Sequence, residues 1–125
     1  MARVLVVDDD EDIRDLVSQS LENAGYDVAA AATGTEAWDA LHAEHYDATV
    51  LDVCLPGLSG LDIARGLHDE HVLHPSDRTV VVMLSALSSS ADARAGREAG
   101  ADLYLTKPFR LHDLASHVRS LVATG

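Results

Sequence analysis

Apolar residues fall along this chain in five short runs, at 4–7, 28–32, 48–51, 80–84 and 103–105, with longer mixed stretches between them. The runs at 4–7, 48–51 and 80–84 are nearly continuous and rich in Val and Leu. Strands buried on both faces of a parallel sheet read this way, because neither face alternates with solvent. The run at 28–32 is mostly Ala and the run at 103–105 is short, so each carries less strand character of its own.

The stretches between the runs have helical spacing. Over 11–24, Ile13, Val17 and Leu21 recur at i, i+4 and i+8, and Gly25 follows as a C-terminal cap. Thr33-Gly34-Thr35-Glu36 reads as a capping box, opening a helix that turns Ala37, Leu41 and Trp38 inward. Residues 60–70 carry Leu61, Ala64 and Leu67. Residues 90–99 are alanine-rich and stop at Gly100, and residues 111–123 carry Leu114, Val118, Leu121 and Val122. Strand and helix thus alternate five times, which predicts a parallel sheet with helices on both faces and right-handed crossovers. The segment 71–77 is the longest expected loop.

The length of 125 residues suits one domain spanning 1–125, with no output domain expected in this chain. Acids outnumber bases 21 to 9, a formal charge of −12 with His neutral. Such a chain repels phosphate backbones and anionic lipid, so direct nucleic-acid binding and membrane contact are not expected. The single cysteine, Cys54, excludes an internal disulfide and fits a reducing compartment. No apolar run approaches the roughly 20 residues of a membrane span. The first strand begins almost at Met1, leaving no room for a signal peptide, so a cytoplasmic location is expected. Eight of the nine bases are Arg; Lys107 is the only ammonium side chain.

Ligands of open α/β sheets bind outside the carboxyl ends of the strands. There the chain places Asp8, Asp9 and Asp10 after the first run, Asp52 after the third, Ser85 after the fourth, and Thr106-Lys107-Pro108 after the fifth. If the first and third strands are neighbours, Asp8, Asp9 and Asp52 converge. Each like-charged pair at about 4 Å costs on the order of 4 kcal/mol at an effective dielectric near 20. A hard divalent cation resolves that repulsion, and carboxylates with a carbonyl and waters suit Mg²⁺. A carboxylate beside a metal, a hydroxyl and an ammonium is equipped for phosphoryl transfer onto the carboxylate.

Four segments carry a family likeness: Val4-Leu5-Val6-Val7-Asp8-Asp9-Asp10; Leu51-Asp52 with Leu55-Pro56-Gly57 and Gly60; Met83-Leu84-Ser85-Ala86; and Ala99-Gly100-Ala101-Asp102-Leu103-Tyr104-Leu105-Thr106-Lys107-Pro108-Phe109. In this order the chain resembles the receiver domain of two-component response regulators over essentially its whole length. The resemblance implies a flavodoxin-like (βα)5 fold with strand order 2-1-3-4-5. It implies Asp52 as phosphoacceptor, served by a sensor histidine kinase or phosphotransfer protein. Mg²⁺ is then held by Asp9, Asp52 and the backbone carbonyl of Cys54, with Asp8 acting largely through water. Ser85 and Lys107 bind phosphoryl oxygens, Tyr104 is the aromatic whose rotamer couples to Ser85, and a cis bond joins Lys107 to Pro108. The domain is then a regulatory phosphoacceptor, not an enzyme acting on other substrates. Its output surface is the fourth helix, fifth strand and fifth helix, which serves a homodimer or a partner.

Some residues have plainer readings. Cys54 reads as a packing residue and not a thiol sensor. His68, His71 and His74, spaced by three, and His42 with His45 read as surface histidines near helix ends and not as a transition-metal site. Family members that dimerise through salt bridges usually have an acid where Leu103 stands and bases near Ala93 and His117, so that ionic mode is not expected here. Two rival functions remain. A phosphohydrolase with an aspartyl nucleophile would carry a second Asp where this chain has Cys54. A pseudo-receiver would bind a partner without phosphorylation, against which stand the full acid set, Ser85 and Lys107.

Overall fold

The computed structural model describes residues 2–74, 78–87 and 89–124, with the side chain of residue 124 left aside. Strands β1 (Arg3–Val7), β2 (Asp27–Ala31), β3 (Ala48–Asp52), β4 (Val80–Ser85) and β5 (Leu103–Thr106) alternate with helices α1 (Glu11–Asn23), α2 (Gly34–Ala43), α3 (Gly60–Leu73), α4 (Ser90–Glu98) and α5 (Leu111–Thr124). All strand pairs are parallel, and the sheet order is β2-β1-β3-β4-β5, the flavodoxin-like order that the resemblance implied.

Side chains on successive strand residues point to opposite faces, so each central strand feeds two cores. Val4, Val6, Val50, Val82 and Leu84 pack with Val17 and Leu21 of α1 and with Leu114 and Val118 of α5. Leu5, Val7, Leu51, Val81 and Met83 pack with Ala37 of α2 and with Ile63, Ala64 and Leu67 of α3. Strands β3 and β4 are buried at every position, which explains their near-continuous apolar composition. β2 lies at the sheet edge and is only partly buried, in keeping with its alanines.

Element boundaries depart from the sequence pattern in two instructive places. α3 runs to Leu73, three residues into the segment expected to be a loop; residues 75–77 lie outside the described part. Nothing in His71, Val72 or Leu73 breaks a helix, whereas the residue before a proline is pushed out of the helical region. His74, followed in sequence by Pro75, accordingly sits at φ −134°. At the start of α2, Thr33 caps the helix by accepting from the Glu36 amide at 3.1 Å, as expected. The return contact is shifted: the Glu36 carboxylate accepts from the amide of Ala32, not from that of Thr33.

Candidate functional site

β1 and β3 are adjacent, with Val7 opposite Leu51, so the next residues, Asp8 and Asp52, emerge side by side. Both are buried, at 2% and 6% exposure, while Asp9 is exposed at the rim. One carboxylate oxygen from each of Asp8, Asp9 and Asp52 lies within 4.8 Å of the others. Backbone donors hold the two buried acids in place. Asp8 Oδ1 accepts from the Asp10 amide at 2.9 Å, and Asp52 Oδ1 accepts from the Cys54 amide at 3.1 Å. The Asp8 carbonyl accepts from Arg14 Nη1 at 3.0 Å, a contact the sequence did not signal.

Lys107 enters from the far side of the sheet. Its ammonium donates to Asp52 Oδ2 at 2.8 Å and to Asp8 Oδ2 at 3.1 Å. Partial burial works against that charge, but the two carboxylates outweigh it, and the Lys107 pKa lies above the ordinary lysine value. The lysine is anchored at its backbone, where its amide donates to the Ser85 carbonyl at 2.7 Å, and the Lys107–Pro108 peptide is cis.

Ser85 is buried at the end of β4, and its hydroxyl accepts from the Leu87 amide at 3.0 Å. The Tyr104 hydroxyl donates to the Leu87 carbonyl at 2.7 Å. Ser85 and Tyr104 therefore grip the two backbone groups of one loop residue, a role for Leu87 that its apolar side chain gave no hint of. The Tyr104 ring lies over Gly96 of α4; a Cβ there would come within 2.6 Å of the ring. Gly60 has a comparable role under the acid crevice. A Cβ at that position would meet the Asp52 carbonyl oxygen at 2.4 Å and Val53 Cα at 3.0 Å, so only glycine lets α3 start this close to β3. The Cys54 side chain is exposed with a free thiol, so it is not the packing residue that the sequence suggested.

The sheet topology, with an acidic crevice at the carboxyl ends of its strands, defines an α/β protein of the flavodoxin-like class. Residues 4–119 match the family model of the response regulator receiver domain. The response regulator MprA of Mycolicibacterium vanbaalenii is 41% identical over 120 residues, which cover 96% of this chain and 50% of that protein. The receiver domain of a Francisella response regulator superposes with a TM-score of 0.91 at 33% identity, over 99% of this chain and 98% of that one. The response regulator DrrB, a Thermotoga maritima OmpR/PhoB homologue, gives 0.84 at 37% identity, over 99% of this chain and 54% of that one. The chain belongs to the receiver domains of two-component response regulators, the family that the four sequence segments indicated. It spans about half the length of the curated relatives it matches. Among the described residues no helix is long and apolar enough to cross a membrane.

Proposed function

We propose that this chain is a phosphorylation-driven switch that takes a phosphoryl group from a sensor histidine kinase, or a phosphotransfer protein, onto Asp52. The observation that carries the reading is the meeting of Asp8, Asp9 and Asp52 around one point, with Lys107 bonded to two of them. The donor set is all oxygen, which suits Mg²⁺ over softer ions. Asp9, Asp52 and the Cys54 carbonyl would hold the ion directly, with Asp8 through water. When bound it supplies positive charge to the oxygens of the transferring phosphoryl group.

In the transfer, a carboxylate oxygen of Asp52 forms the new P–O bond as the donor's P–N bond breaks. The donor histidine leaves as neutral imidazole, taking a proton from solvent. Lys107 then pairs with a phosphoryl oxygen. Ser85 turns its hydroxyl from the Leu87 amide toward another, which frees one of the two grips on Leu87. Tyr104 holds the other grip and so carries the change to α4, β5 and α5, where an output partner or second copy would read it. Leu103 stands where salt-bridged family dimers have an acid, which favours an apolar contact over an ionic one. An apolar groove of about 500 Å³ formed by Ile13, Leu16, Pro108, Phe109 and Leu111 borders Lys107. Leu16 is 54% exposed there, and the groove suits an apolar helix face of the phosphoryl donor. The free thiol of Cys54 is in keeping with a cytoplasmic setting, and we assign the output to parts of a longer regulator.

Incubation with acetyl phosphate and Mg²⁺, followed by intact mass and alkaline treatment, tests this reading. One base-labile phosphoryl group is expected; it should not form when Mg²⁺ is chelated beforehand, nor in Asp52→Asn. Labelling that survives in Asp52→Asn overturns the acceptor assignment, and no labelling with any donor makes the chain a pseudo-receiver.

A further inference from the structure

At the amino ends of the strands, about 17 Å from Asp52 across one strand length, α2 and α3 leave a second cavity. It has a volume of about 380 Å³. Four of the chain's seven histidines line it: His42, His45, His71 and His74, together with Glu44 and Glu70. They come from both helices and from the segments that leave them, so no single sequence motif unites them. We propose that this cavity binds a divalent transition-metal ion of the Zn²⁺ kind through His42, Glu70 and His74. The site is independent of the phosphorylation site.

The geometry around His42 carries the proposal. Its Nδ1 lies 2.7 Å from the Trp38 carbonyl oxygen, to which it donates. A backbone carbonyl behind one ring nitrogen is the usual support of a metal-bound histidine, because it fixes the tautomer and aims the other nitrogen. The other nitrogen, Nε2, lies 2.6 Å from Glu70 Oε1. A proton fits in that gap. Zn²⁺ bonds of about 2.0–2.2 Å in tetrahedral geometry set such a nitrogen and oxygen about 3.4 Å apart, so the pair must open by a little under about 1 Å to admit the ion. The contact therefore brings an imidazole from α2 and a carboxylate from α3 together at near ligand spacing.

The third ligand is His74, four residues beyond Glu70 at the exposed end of α3. Its ring has no hydrogen-bond partner among the described residues. It must turn inward to bind, since Asp8, Asp9 and Asp52 are the only three-ligand grouping among the described residues already within 4.8 Å. His71 is not used: its Nε2 lone pair accepts from the Thr79 amide at 3.1 Å. His45 is turned toward Asp47, at 3.7 Å. Two imidazoles and one carboxylate, with water completing the set, select a borderline ion such as Zn²⁺ and reject Mg²⁺.

Calorimetric titration of the chain with Zn²⁺ in excess Mg²⁺ tests the site. One saturable site is expected, with a heat that depends on the buffer because the proton shared by His42 and Glu70 is released. His42→Ala, Glu70→Gln and His74→Ala should each weaken binding by about tenfold or more. His68→Ala should not, since His68 lies outside the cavity, against Gly100. Trp38 is the only tryptophan, and its ring centroid is 4.3 Å from that of His42. Cu²⁺ should therefore quench its emission in the wild type and in His68→Ala, but far less in His74→Ala. Absence of saturable Zn²⁺ binding overturns the proposal. So does binding that persists in both Glu70→Gln and His74→Ala, or that disappears in Asp52→Asn or Cys54→Ser.

Discussion

Lys107 stands between two buried carboxylates and is their main counter-charge in the crevice. A metal ion entering the crevice must share Asp52 with it, so cation and lysine compete. Lys107→Met should therefore bind Mg²⁺ more tightly, by roughly tenfold, while its phosphorylated form shows little structural response. Amide shifts near Asp9 and Cys54 during a Mg²⁺ titration measure the first effect. The raised pKa means that the lysine's stabilising contribution is complete below the ordinary lysine value. It is lost only as pH rises through the elevated folded value, so it is intact at neutral pH. Gly60 offers a steric counterpart. Gly60→Ala drives a methyl group into the backbone of Asp52 and Val53, and should cost about 2–3 kcal/mol in urea unfolding. Phosphorylation by acetyl phosphate should slow with it, because the nucleophile's own backbone is displaced. The Asp, Ser and Lys positions were legible because their chemistry is in the side chain. Leu87 and Arg14 were not, because they act through a backbone group or on one.

At the scale of elements, α3 is tied to α2 through His42 and to the segment before β4 through His71, and the two histidines have opposite pH behaviour. His42 is raised above the ordinary value of 6.5 by its bond to Glu70, then by the Trp38 carbonyl and the nearby Asp39, against partial burial. His71 is lowered from 6.5 by burial and by Arg78, against the pull of Glu70 and Asp102. The signs follow from linkage. The His42 contribution is complete below 6.5 and fades as pH rises through its higher folded value. The His71 contribution is complete above 6.5 and fades as pH falls through its lower folded value. Stability measured by urea unfolding, without added transition metal, should thus peak near pH 6.5 and fall on either side of it. His42→Ala should remove part of the alkaline decline, and His71→Ala part of the acid one. Uniform loss at all pH values in both variants would mean that neither contact titrates as described. The helical spacing along 60–70 located α3, but its extension to Leu73 depended on where a breaker stands, at Pro75, and not on apolar period.

At the scale of the whole molecule, a charge of −12 on 125 residues is a self-repulsion that folding must overcome. The melting temperature should rise as NaCl is added from low ionic strength, since surface charges beyond about 10 Å are screened at 0.1 M. Mg²⁺ should raise it further at equal ionic strength, because Asp8, Asp9 and Asp52 concentrate three carboxylates at one end of the sheet. Scanning calorimetry on the wild type and Asp52→Asn separates the two effects. The variant should keep the NaCl response and lose most of the Mg²⁺ increment.

The amino-acid sequence alone determined the five-fold alternation, the buried character of β1, β3 and β4, and the acids, hydroxyl and lysine at the strand ends. These are readable because they follow local rules: the period of a strand or helix, and the residue just past it. The sequence also carried the family, because four short segments kept their order and spacing. Only the tertiary structure decided what meets across the fold. Lys107 reaches Asp8 and Asp52 from 99 and 55 residues away. Leu87 is held from both sides by Ser85 and Tyr104. His42 meets Glu70 across 28 residues, in a cavity whose histidines looked along the chain like unrelated surface residues. Such contacts depend on the sheet order, which brings the ends of distant elements together, and no local period encodes that order.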